Sequence, residues 1–369
     1  MKPPFKKLFI LNILTALTVL AAGQRTYKPS SVLSSGNWFK IAVSGEGVYK
    51  IDVPFLSSLG LTGTIPSNQI KIFGNGGAML PEDNASSRID DLDETAIAVF
   101  DGGDGVLNGN DYVLFYAKGP HQWLKDSANK RFVHQKNRYT NKAYYFITLG
   151  SNSKRISTQN NAPVGSVTVT SFDDRYFHEF DSVNFLNSGK EWYGEEFSSS
   201  PGRTLSRSFT IPTTDVAGPA SIVSDVVSRS VGANGIFNVQ VGSQQVQQIS
   251  VPAVTGTYLG LFATETQSAA SFTLSQSNAV VTFSYLPGSN NAQGWINWFE
   301  FFYRRNLSLP SNQQLLFRDW NSVTNNAATF IVANADANTQ VWDVTDMLNP
   351  VKMNTTLSGS QLLFSNDAT

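Results

Sequence analysis

Apolar residues in this chain recur at every second position, in short runs that end at Gly, Asn or Ser. Phe39, Ile41 and Val43 alternate with Lys40 and Ala42, a Ser44-Gly-Glu-Gly47 turn follows, and Tyr49 and Ile51 resume the pattern. A period of two turns one face of a strand inward and the other outward, so the pattern confines the chain to β architectures and predicts a β-hairpin over 39–51. Over 144–149 both interleaved sets are apolar, which predicts a closing strand buried on two sides. One local exception is helical. Asp52 can cap a first turn holding Pro54, Leu56 and Leu59 share a face, and Gly60 supplies the stop.

The chain holds no cysteine. Its N-terminus combines Lys2, Lys6 and Lys7 with an apolar run over 8–22 and a small Ala21-Ala22-Gly23 end, which reads as a signal peptide over 1–23. That run is shorter than the ~20 residues a membrane span needs, and without a Cys after it a lipoprotein anchor is excluded. The expectation is therefore an exported protein of the periplasm, outer membrane or cell surface. Without disulfides or thiolate metal sites, its stability has to come from apolar burial and strand pairing. Formal charge is -1, and the leader removes three lysines and no acid, so the mature chain sits near -1 - 3 = -4. That balance argues against nucleic acid as a partner.

Punctuation by Gly, Asn and Ser divides the rest. A β-rich N-terminal domain with one short helix spans 24–163 and ends in a polar linker over 151–161. A jelly-roll-like β-sandwich spans 164–310, with strands expected to begin near Tyr176, Leu205, Ala220, Ile236, Val246, Phe272, Val280 and Trp295. Both faces of the last strand are apolar, with Trp295, Phe299, Phe301 and Tyr303 on one side and Ile296, Trp298 and Phe302 on the other. It should therefore lie at the centre of its sheet. Residues 311–369, with strands expected at 315–317, 329–332, 340–342 and 361–364, read as the start of a third, incomplete unit. The fold class is mainly β.

Two stretches invite a functional reading. Ile97–Phe100 and Tyr112–Ala117 flank the loop Asp101-Gly-Gly-Asp-Gly-Val-Leu-Asn-Gly-Asn-Asp111, whose Asp101, Asp104 and Asp111 offer oxygens to a hard cation such as Ca²⁺. The spacing fails the EF-hand pattern, and Asp and Gly are ordinary turn formers, so a hairpin connector is the leading reading. The next stretch, 118–142, is basic. Lys130, Arg131, Lys136 and Arg138 are its candidates for meeting an anionic partner, against the alternative of local pairing with the preceding acidic block. His121, His134 and His178 are scattered and read as polar core or edge residues. Trp192, Trp295 and Trp298 read as core. No nucleophile elbow, phosphate loop or His-Glu-x-x-His is present.

A set of phrases in order goes further. Trp38-Phe-Lys-Ile-Ala-Val with Gly47-Val-Tyr-Lys-Ile, Phe73-Gly-Asn-Gly-Gly, and Asp111-Tyr-Val-Leu-Phe-Tyr-Ala-Lys-Gly-Pro with Trp123 come first. Gly189-Lys-Glu-Trp-Tyr-Gly-Glu-Glu-Phe197, Arg304-Arg-Asn-Leu307 and Val341-Trp-Asp-Val-Thr-Asp346 follow. Together they resemble the N-terminal region of the PorU family, gingipain-related sortases of type IX secretion in Bacteroidetes. The resemblance implies a β-rich region ahead of a Cys–His peptidase domain that removes the C-terminal sorting domain of cargo and joins cargo to anionic lipopolysaccharide. It also implies outer-membrane secretion components and cargo proteins as partners. With no Cys the dyad cannot be carried over, so the expectation is a non-catalytic scaffold, truncated before its peptidase half and inactive alone. The competing reading is a stand-alone surface adhesin or carbohydrate-binding sandwich.

Overall fold

The computed structural model describes residues 27–367 apart from 188 and 324, so the leader expected over 1–23 lies outside the described residues. The fold is mainly β, 47% strand against 4% helix, and its buried apolar side chains fall into three clusters. The first unit contains β1 (Phe39–Val43), β2 (Gly47–Asp52), α1 (Val53–Ser58), β3 (Ile65–Pro66), β4 (Ile70–Phe73) and β5 (Glu94–Thr95). It continues through β6 (Ile97–Phe100), β7 (Val106–Leu107), β8 (Tyr112–Ala117), β9 (Gln122–Asp126), β10 (Arg131–Gln135) and β11 (Ala143–Leu149). Two sheets, ordered β1-β11-β4-β5 and β2-β8-β6, enclose Ile41, Ile51, Ile72, Phe115, Tyr145 and Ile147. Helix α1 forms as its sequence dictates. Asp52 accepts a bond from the Phe55 amide at 3.0 Å, Leu56 is buried in the core, and Gly60 follows at φ +92°.

The hairpin expected over 39–51 does not exist. Both strands form, but β1 pairs with β11 and β2 pairs with β8, so the Ser44–Gly47 turn is a corner between sheets. Alternation reports that a strand has an inward face; it carries no information about which neighbour supplies the hydrogen bonds. At this corner Gly45 lies so close to Gly119 that a β-carbon on Gly119 would stand 2.8 Å from the Gly45 backbone.

The segment leaving this unit carries β12 (Ser157–Thr158) and β13 (Val167–Val169). The second unit then runs through β14 (Ser171–Glu179), β15 (Glu196–Phe197), β16 (Ser206–Ile211), β17 (Val216–Arg229) and β18 (Gly235–Val241). It closes with β19 (Gln244–Val251), β20 (Thr264–Thr273), β21 (Ala279–Leu286) and β22 (Gln293–Asn306). Its sheets are ordered β14-β22-β17-β20 and β16-β21-β18-β19. The long strands nest as pairs, outermost β14 with β22, then β16 with β21, β17 with β20, and β18 with β19, which is jelly-roll topology. Phe237, Phe283, Phe299 and Phe301 fill the space between the sheets. Strand β22 is central, as its two apolar faces require.

The third cluster gathers chain from both sides of the sandwich. Strands β23 (Ala327–Val332), β24 (Trp342–Asp343), β25 (Val351–Lys352), β26 (Thr356–Ser358) and β27 (Gln361–Asp367) complete the described chain. Strand β13, which the sequence places at the start of the sandwich, pairs in parallel with β23. Strand β12, inside the expected linker, pairs in parallel with β25. The strand expected at 315–317 is absent. Leu315 and Phe317 pack against this core without pairing, because burial of two alternate side chains needs no ladder. Arg304 ties the sandwich to this unit through the buried Asp319 at 2.7 Å, while its cross-strand neighbour Asp173 on β14 holds the same guanidinium at 2.9 Å.

Candidate functional site at the junction of the three units

Between β8 and β11 the first unit sends out a two-stranded hairpin, β9 and β10, in which His134 stands opposite Trp123 and Phe132 opposite Lys125. Strand alternation puts Phe132 and His134 on one face. That face covers the outer surface of the jelly-roll sheet, which explains why β22 is apolar on both sides. Trp123 lies edge-on to Phe177 and Phe302 with ring centroids at 5.6 and 6.1 Å, and Phe132 meets Trp320 of the third unit at 5.2 Å. A bulge in the β17–β22 pairing at Asn297 shifts the alternation, leaving Phe299 and Phe301 in the sandwich core while Trp298 meets His134 of the hairpin.

His134 is the polar centre of this seam. Its ring stacks on Phe177 at 4.6 Å and stands edge-on to Trp298 at 5.2 Å. Nε2 lies 2.6 Å from Glu179 and Nδ1 2.8 Å from Glu300, whose same carboxylate oxygen accepts the His134 backbone N–H at 2.7 Å. The His134 side chain is 5% exposed and that of Glu300 1%. Burial works against the charged imidazole, but the hydrogen bonds and charges of Glu179 and Glu300 outweigh it and raise the pKa above its ordinary value. The folded protein therefore favours a cationic His134 clamped between carboxylates from β14 and β22.

Next to the clamp, where the three units meet, lies a cavity of about 260 Å³. The first unit contributes Lys118, Lys125, Trp123 and Phe132, the second Arg175, and the third Arg318 and Trp320. The Arg175 guanidinium lies 4.4 Å from the Phe132 ring and 5.2 Å from Trp123, and Lys125 lies 5.7 Å from Trp320. Two acids also line the cavity. Asp319 is engaged by Arg304 at 2.7 Å, while Glu46 accepts from Tyr116 Oη and sits 3.8 Å from Arg318.

The residues singled out by sequence fall outside this junction or at its margin. Asp101, Asp104 and Asp111 do not converge on a common point of coordination. Asp101 accepts from Ser67 Oγ at 2.5 Å and the Gly103 amide at 3.0 Å, Asp104 from the Val106 amide and Asn108 Nδ2, each at 3.0 Å, and Asp111 from the Asn108 amide at 2.9 Å. Among the described residues no group of three or more His, Asp or Glu side chains is placed to hold a metal ion. Of the basic candidates, Arg131 pairs with Asp126 at 3.1 Å, Lys136 with Asp181 at 2.8 Å and Arg138 with Glu191 at 2.8 Å. Lys130 occupies the hairpin turn at φ 48° and makes no ion pair among the described residues.

His178 lies 2.8 Å from Glu195 and stacks on Phe299 at 5.2 Å. Trp295 is buried, whereas Trp192 is 47% exposed and so departs from the core reading. What the sequence reading passed over is the pairing of His134 with Glu300. A lone acid within Trp298-Phe-Glu-Phe-Phe302 was the available signal, since a carboxylate on an all-apolar central strand needs a partner.

No family model matches this chain, and no curated protein sequence does. Among solved structures, the dimeric latent PorU of Porphyromonas gingivalis superposes with a TM-score of 0.75 at 20% identity, over 91% of this chain. The fold is PorU-like. The chain spans 31% of the length of that PorU. A cycloalternan-forming enzyme of Listeria monocytogenes aligns at 12% identity over 71% of this chain and 19% of its own, with a TM-score of 0.23. An isomalto-dextranase of Arthrobacter globiformis aligns at 13% identity over 64% and 36%, with a TM-score of 0.24. At such scores neither bears on the fold.

Proposed function

We propose that this chain is the non-catalytic N-terminal part of a type IX secretion sortase, exported to the cell envelope, where it scaffolds a Cys–His peptidase domain and contacts cargo or outer-membrane secretion components. The observation that carries the reading is the PorU-like arrangement over nine-tenths of the chain. The absence of cysteine supports a scaffolding role, because acyl-enzyme formation of the sortase type needs a thiolate. The interlocked construction fits the same role. The first unit grips the jelly roll through the hairpin, and the third unit binds the first through Gln314 on the Val48 amide at 2.7 Å and through Leu348 O on the Ala96 amide at 3.0 Å. Such a body can hold a following domain in a fixed orientation. In this reading Lys130 and its basic neighbours face the anionic lipopolysaccharide of the surface.

Two experiments test it. The reading frame is expected to continue beyond codon 369 into a segment that holds a His and a Cys; a stop codon there favours the adhesin reading instead. In a full-length protein purified with that segment, a cargo C-terminal domain is expected to be cleaved, and replacing the downstream Cys with Ala is expected to abolish cleavage. Cleavage that survives the replacement refutes the sortase assignment.

A further inference from the structure

We propose that the cavity at the junction of the three units binds a small aromatic carboxylate. Two side chains of its lining carry unmet hydrogen-bond donors. Arg175 Nε and Trp320 Nε1 are both buried and have no hydrogen-bond partner, and both belong to side chains that line this cavity. Guanidinium and indole N–H groups donate and never accept, so a ligand that satisfies them must bring acceptor oxygens. Leaving such donors unsatisfied costs free energy, so each calls for a partner.

Charge selects the kind of acceptor. Lys118, Lys125 and Arg175 line the cavity and none has a carboxylate within ion-pair distance among the described residues, whereas the two lining acids are engaged by Arg304 and by Tyr116 with Arg318. The surplus is positive, which favours an anion. Arg175 adds a planar fork suited to the two oxygens of a carboxylate.

Shape selects what carries the anion. Trp123, Phe132 and Trp320 present rings around the same space, and about 260 Å³ accommodates one ring and its substituent rather than an oligomer. Because all three units contribute walls, an occupant is bound only by their assembled arrangement. Ligand and assembly stabilise each other by mass action.

Calorimetric titration of the folded chain with benzoate, benzamide and acetate separates the contributions. Benzoate is expected to bind saturably, to weaken with added salt, and to raise the melting midpoint. Benzamide, which keeps the ring and loses the charge, and acetate, which keeps the charge and loses the ring, are each expected to bind at least about tenfold more weakly. Arg175→Met is expected to weaken benzoate at least about tenfold. Lys118→Gln, at the cavity margin, gives a second and milder loss should the first variant melt without cooperativity. Absence of benzoate binding, equal affinity for benzamide, or unchanged benzoate affinity in the folded variants overturns the proposal.

Discussion

Replacing His134 with Ala removes the one cation between two carboxylates at the seam. Glu300 is 1% exposed and Glu179 16%, so neither can turn fully into water while the hairpin stays docked. Breaking a buried pair by deleting one partner costs about 3–5 kcal/mol, because the charge left behind stays desolvated. His134 also stacks on Phe177, so its loss opens space among aromatic rings and places the expectation at the upper part of that range.

The same clamp sets a pH dependence. The His134 pKa is raised in the folded protein by Glu179 and Glu300 against the opposing effect of burial. Its stabilisation is therefore complete below the unfolded value of about 6.5 and is lost as pH rises through the higher folded value, at about 1.4 kcal/mol per pH unit across that window. Urea unfolding followed by tryptophan fluorescence reads the seam directly, since Trp123 and Trp298 both contact the His134 ring. Wild-type stability is expected to fall between about pH 6.5 and the folded value, and this fall is expected to vanish in His134→Gln. A His134→Ala variant within about 0.5 kcal/mol of wild type, or an undiminished pH slope in His134→Gln, refutes the clamp.

Three further outcomes follow from buried charge and turn chemistry. Burial, with the neighbouring Glu265 adding to it, pushes the Asp225 carboxyl up to about 9. The fold must then carry a proton that the unfolded chain releases near pH 4, so Asp225→Asn is expected to stabilise the protein by an amount that grows from about pH 4 to about pH 9, at up to about 1.4 kcal/mol per pH unit, as thermal melts across that range will show. Arg304→Gln is expected to cost about 3–5 kcal/mol in chemical denaturation, because it strands the buried Asp319 and unlinks the jelly roll from the third unit. Asp101→Asn is expected to lower the melting midpoint slightly through its weakened bonds to Ser67 and Gly103, and calcium titration is expected to leave the wild-type midpoint unchanged. A calcium-dependent rise lost in Asp101→Asn would make the loop an ion site after all.

Much of the fold was legible because the physics that builds it is local. Asp52, Pro54 and Gly60 specify α1 within a few residues, and seven of the eight long strands of the jelly roll were anticipated from alternation and turns, whereas β20, expected to begin near Phe272, runs over Thr264–Thr273. Strand β20 shows the limit. Its first residues read Thr-Glu-Thr-Gln-Ser, with no apolar period to announce them, and they hold their place through ladder bonds to β17. Partner choice was illegible for the same reason. The 39–51 hairpin failed because β8 and β11, distant in sequence, supply the edges, and β12 and β13 find their partners more than a hundred residues away. The site was hidden more deeply. His134 and Glu300 are 166 residues apart and meet only when the hairpin crosses from one unit to another. Charge counting over 118–142 detected an excess of cations but could not say that Arg131, Lys136 and Arg138 have partners in the fold while Lys118 and Lys125 face a cavity.

The first unit's hairpin is locked onto the jelly roll through His134. Native-state hydrogen exchange of the His134 backbone amide tests it most directly, because that N–H donates to the buried Glu300 carboxylate at 2.7 Å. Protection comparable to that of the central amides of β22 is expected, with loss of that protection in Glu300→Gln. Exchange of the His134 amide at the rate of an exposed loop in the wild-type protein would contradict it.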